Sequence, residues 1–229
     1  MNALWTALSA DHDSDLVRLA FSVTKLEAPL GSYSKLAQRA VDIGDIETVL
    51  DIVKSPRTIN MLKAAAIRTL PSLEGVTEIV TALLASNDAW AKVFILQKIC
   101  QCPCEIFSEA LCPLLKDDTE IDDMGVSYRI ANLAAVAIHR QQSLPVQVKI
   151  DFLNWLDEQK PLLNSNLPKQ RIGAILLFAE LGCGESLDAL RKLCMNDDDP
   201  FQELSANLVR IENTLVKKRP PSISCSQSS

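Results

Sequence analysis

The chain has 229 residues, 48% apolar and 23% charged, and its 23 Lys and Arg against 29 Asp and Glu leave a net charge of −6. A chain of this size buries roughly 70% of its unfolded surface, which supplies a real core and excludes a disordered polymer. The negative balance argues against a general affinity for nucleic acid and leaves room only for a local basic patch, while no run approaches the ~18 uncharged apolar residues of a membrane span.

In chain order, the first 20 residues are broken by Asp11, Asp13 and Asp15 and do not form a signal peptide. Residues 3–9 and 14–26 read as a helical pair, with Leu16, Leu19, Ala20, Val23 and Leu26 recurring at helical spacing, and an extra helix follows over 34–43. Four further pairs follow. The spacing predicts helices over 46–54 and 58–70, joined by Ser55-Pro56-Arg57, and over 76–85 and 89–100, joined by Ser86-Asn87-Asp88. It then predicts 106–115 with 124–139 and, across a longer linker, 146–158 with 169–181. A last pair, 186–195 and 201–216, is joined by a turn in which three aspartates precede Pro200, a strong start signal. Val, Ile and the aromatics nowhere alternate with polar residues over a long stretch, so the expectation is all helix and no sheet. Residues 1–216 form the expected single domain, and 217–229, Lys-Lys-Arg-Pro-Pro followed by a Ser-rich run, a disordered polar tail.

The second helices of the pairs align. Arg18, Lys63, Lys92, Arg129 and Arg171 fall in one column, each followed by small or apolar residues such as Ala64-Ala65-Ala66 and Ile172-Gly173-Ala174, while the last pair puts Glu203 there. This pattern resembles HEAT repeats, helical hairpins with Asp, Asn or Pro in the turn and a basic residue early in the second helix. The closest match is 185–215, followed by 76–99, and about two thirds of the chain is covered. The resemblance implies a right-handed α-solenoid of about five to six hairpins, in which a hairpin buries its flanks only by stacking on its neighbours. It also implies that the second helices line a concave face where a protein partner binds, so the five cations of the column are the expected binding residues. The expected function is a non-enzymatic, cytoplasmic adaptor without cofactor or metal. An enzyme of the same architecture is the alternative. HEAT-like DNA glycosylases use Trp and Asp in a cationic groove, which Trp90 or Trp155 with Asp157 could imitate against the acidic balance. HEAT-like bilin lyases act on a tetrapyrrole attached to a protein thiol. A binder of the bacterial effector or immunity type is a third reading.

Other features read more plainly. The seven cysteines are odd in number, and Cys100, Cys102 and Cys104 with Cys112 lack the spacing of a zinc site, so they read as small hydrophobes around a helix end, a turn and a helix start. His139 reads as a helix-terminal histidine, His12 as a solvated one, and Gly182-Cys183-Gly184 as a helix stop. Acidic residues gather in the turns: Asp11, Asp13 and Asp15; Asp117, Asp118, Glu120, Asp122 and Asp123; Asp197, Asp198 and Asp199. They read either as caps or as an acidic ridge that meets a basic partner.

Overall fold

The structure, a computed structural model, describes residues 30–123 and 126–182. Nine α-helices fall in this range: α1 (Leu30–Asp42), α2 (Ile46–Lys54), α3 (Asn60–Thr69), α4 (Thr77–Leu84), α5 (Ala89–Gln101), α6 (Ser108–Leu111), α7 (Ile130–His139), α8 (Val146–Gln159) and α9 (Pro168–Glu180). The predicted pairs at 3–26 and 186–216, the tail and the closest repeat match lie outside the described residues. Packing divides the chain into two units after Phe152.

In the first unit two helices begin at aspartate caps that the sequence supplies. The Asp45 carboxylate accepts from the Thr48 amide at 3.3 Å and the Thr48 hydroxyl at 2.8 Å, opening α2. Asp88 accepts from the Ala91 amide at 3.0 Å, opening α5. Gly44, at φ 82°, supplies the left-handed residue between α1 and α2.

The second helices pack in sequence: α1 on α3, α3 on α5, and α5 on α7. Side-chain size explains the middle of this row. In α3 Ala64, Ala65, Ala66 and Ile67 are all buried, so one helix meets neighbours on two sides, and the alanines let their backbones approach closely. In α5 Val93, Phe94, Ile95, Leu96 and Ile99 are buried, too wide an apolar arc for a helix with a solvated back. In α7 the buried set is Ile130, Ala131, Ala134, Ala135, Ala137 and Ile138. Each of these helices also packs on the helix before it: α2 on α3, α4 on α5, and α6 on α7.

Two expectations fail here. The predicted helix over 106–115 is only the single turn α6, between 3-10 turns at Glu105–Phe107 and Cys112–Lys116. Pro113 is the cause: it has no N–H to give to the Glu109 carbonyl and its ring collides there, so the α-helix stops before it. The expectation of no sheet also fails. Glu120–Asp123 (β1) and Val126–Arg129 (β2) form an antiparallel hairpin, and the predicted helix over 124–139 begins only at Ile130. The register pairs Glu120 with Arg129 and Asp123 with Val126, which leaves Met124 and Gly125 between the paired ends. Ile121 opposes Tyr128, an apolar–aromatic cross-strand pair of the kind that stabilises short ladders. The base of the hairpin then starts the next helix: the Thr119 and Asp117 carbonyls accept from the Ile130 and Ala131 amides at 3.0 Å each, satisfying two donors that α7 would otherwise leave unpaired.

In the second unit the predicted linker is partly a 3-10 turn, Lys160–Asn164, packed on α9. Pro168 occupies the first turn of α9, where its missing N–H costs nothing. Gly182, at φ 75°, donates to the Ala179 carbonyl at 3.0 Å and closes α9, the helix stop expected from the sequence.

Candidate functional site

The basic column is the candidate site. Lys63, Lys92 and Arg171 are each the fourth residue of their helix, in Asn60-Met61-Leu62-Lys63, Ala89-Trp90-Ala91-Lys92 and Pro168-Lys169-Gln170-Arg171. Arg129 is not equivalent. It ends β2 and is the extended residue preceding α7, because the hairpin occupies what the sequence presents as the start of a helix. Arg18 lies outside the described residues.

The neighbours of these cations differ. The Lys92 ammonium donates to the Asp117 carboxylate at 2.7 Å, and the two side chains retain only 13% and 18% of their exposure. Asp117 comes from the following hairpin, so this pair ties the start of α5 to the loop that caps α7. Burial pushes the Asp117 carboxyl up, but hydrogen bonds from Lys92 and Thr119 and the charge of Lys92 outweigh it and hold the group below the ordinary carboxylate value. Arg129 donates to Asp118 at 2.5 Å, a more open pair whose aspartate is 74% exposed. Asp117 and Asp118 therefore serve the fold at this turn; the other two acidic turns lie outside the described residues. Arg171 donates to the Ser165 carbonyl at 3.5 Å, while its buried Nε has no partner among the described residues. Lys63 makes no ion pair or side-chain hydrogen bond among the described residues. It borders an open groove of about 360 Å³ lined by Asn60, Glu78, Ile79, Ala82 and Leu83.

A second set of cations, not singled out by the repeat pattern, sits at the opposite ends of the same helices. Lys98, buried in α5, donates to the Leu70 carbonyl just past α3. Arg140, just past α7, donates to the Cys100 carbonyl of α5 at 2.9 Å. Each cation reaches back to the C-terminal end of the preceding second helix, where carbonyls lack intrahelical donors and the helix dipole favours positive charge. The one signal in the sequence is a lysine placed inside the apolar run from Val93 to Ile99.

The cysteines do not converge. The Cys100 thiol points to the Leu133 carbonyl and the Cys102 thiol to the Pro71 carbonyl, 3.9 Å in each case and on different neighbours. The four described cysteines are free thiols. Among the described residues no three His, Cys, Asp or Glu side chains gather as a metal-binding group. Burial pushes the Cys112 thiol up, and the Asp151 and Glu109 carboxylates push it further, the reverse of an activated nucleophile. Trp155 is buried, Asp157 pairs with Lys160 at 2.9 Å, and Trp90 stacks obliquely on Phe94. His139 ends α7 as expected, its ring 6.5 Å from that of Phe152.

Among the described residues no helix is long and apolar enough to cross a membrane. The chain matches no protein-family model, no curated protein and no solved structure.

Proposed function

We propose that the chain is a non-enzymatic protein-interaction module, a HEAT-like stack of helical hairpins that holds a protein partner on the face formed by its second helices. One observation carries the reading: α1, α3, α5 and α7 pack in unbroken succession while each of α3, α5 and α7 also keeps its own hairpin partner. That connectivity is what stacked repeats require, and stacked repeats present long surfaces suited to a partner chain. Of the expected binding cations, Lys92 and Arg129 are assigned to holding the stack, because carboxylates of this chain already occupy them. Lys63 is assigned to the partner; of the other two expected binding cations, Arg171 lies in the second unit and Arg18 outside the described residues.

The test is native co-purification under low-salt, non-dissociating conditions, with wild type and Lys63→Glu compared. A stoichiometric protein partner retained by the wild type and lost by the variant supports the module and its basic face. A partner retained equally by both supports the module and moves the contact elsewhere. A chain that elutes alone from its native host, at endogenous concentration, contradicts the reading.

A further inference from the structure

We infer that the groove between the first turn of α3 and α4 is the seat of a short linear segment of the partner, one that carries a carboxylate beside a basic residue and leads with apolar side chains. This deepens the interaction-module reading and rests on it. The groove holds about 360 Å³, at the small end of ligand-sized cavities, so it accommodates a few side chains of a peptide and not a folded surface. Its lining combines apolar Ile79, Ala82 and Leu83 with the charges of Lys63 and Glu78. Among the described residues neither charge is answered by an ion pair or a side-chain hydrogen bond. Ile59, next in the chain to the groove residue Asn60, stands 55% exposed.

The chain itself shows which chemistry fits such a position. Lys92 occupies in α5 the place that Lys63 occupies in α3, and there it is filled by Asp117. Asp117 lies in the segment Leu-Leu-Lys-Asp-Asp, residues 114–118, whose two leucines are buried. At Lys63 the corresponding acid of the following turn is Asp88, whose carboxylate accepts from the Ala91 amide and forms no ion pair with Lys63 among the described residues. The groove thus has the cation and the apolar lining but lacks the acidic segment. Charge complementarity sets the orientation: a carboxylate on Lys63 and the neighbouring base toward Glu78, both strengthened where the groove removes water.

The probe is the peptide Leu-Leu-Lys-Asp-Asp, blocked at both ends and titrated into the full-length, isotopically labelled chain. Amide resonances of Asn60 to Lys63 and of Ile79 to Leu83 should shift and saturate at roughly millimolar peptide, as expected for so small a contact. Replacing the aspartates of the peptide with Asn, or Lys63→Gln in the chain, should weaken binding about tenfold, the worth of one charge-assisted contact, with the melting temperature of Lys63→Gln unchanged. Absence of saturable shifts in these amides, or equal affinity for Lys63→Gln, overturns the assignment. Shifts that map instead to α5 and α7 overturn the groove while leaving the interaction module standing, which the co-purification decides independently.

Discussion

From Ile46 to Gln101 the chain is two plain hairpins, whereas from Glu105 to Arg129 it is a chain of short turns, a one-turn helix and a β-hairpin. Both stretches do the same job, which is to cover one side of a second helix: α4 covers α5, and α6 with its 3-10 turns covers α7. Both bury completely a large side chain, Ile95 in the first and Phe107 in the second. The difference lies in how backbone and charge are satisfied. In the regular stretch Asp45 caps α2 and Asp88 caps α5, each on an amide three residues away. In the irregular stretch Pro113 ends the helix early, and the freed loop spends its carbonyls on the amides of α7 and its carboxylates on Lys92 and Arg129. The irregular stretch is tied in through carboxylates and loop carbonyls, the regular one through local aspartate caps and the contact of Lys98 with the Leu70 carbonyl.

The largest effect should come from the core of the irregular stretch. Phe107→Ala should cost about 3–5 kcal/mol, comparable with other buried Phe truncations, and Ile95→Ala about 2–5 kcal/mol. If chemical denaturation gave under 1 kcal/mol for Phe107→Ala, the irregular stretch would be an ornament and not a true hairpin flank.

Lys98→Met comes next. It keeps the apolar stem but removes the donor to the Leu70 carbonyl, at a cost of about 1–3 kcal/mol. A variant as stable as the wild type would show that the latch between the C-terminal ends of α3 and α5 is idle.

Asp117→Asn should cost about 1–2 kcal/mol at neutral pH, because a charge-assisted hydrogen bond becomes a neutral one. The folded carboxyl titrates below its unfolded value, so its stabilisation is present above the unfolded range near ~4 and drains away as pH falls through the lowered folded value. The gap in urea midpoints between wild type and variant should therefore narrow as pH falls from 7 to 3; a gap that stays constant over this range would mean that Asp117 acts by shape and not by charge.

The smallest effect belongs to Arg129→Gln. Asp118 is largely exposed, so the lost pair should be worth under about 1 kcal/mol and should fade further in salt.

Much of the regular stretch is legible in the sequence. The apolar spacing from Ile46 to Val53 and the Asp45 cap define α2 to the residue, and Asp88 marks the start of α5. The hairpin at Glu120 to Arg129 was hidden because its strands are four residues long and the first is rich in aspartate, which favours turns, and periodicity needs a longer run to register. The column of cations was legible only as spacing. Lys63, Lys92 and Arg171 do share a helical position, but spacing does not reveal which carboxylate, 25 residues further along in the case of Asp117, comes to rest on which cation. Lys98 and Arg140 bind backbone carbonyls 28 and 40 residues away, and a carbonyl carries no side-chain signature.

The central claim is that two cations at the same helical position do different work, Lys92 for the fold and Lys63 for a partner. Charge reversal at each, followed by thermal melting of the isolated chain, tests it most directly. Lys92→Glu sets a like charge against Asp117 and should cost about 2–4 kcal/mol, which lowers the melting temperature by roughly 4–16 °C, while Lys63→Glu should leave it within about 1 °C. Equal losses, or a larger loss for Lys63→Glu, would contradict the division of the column into structural and binding cations.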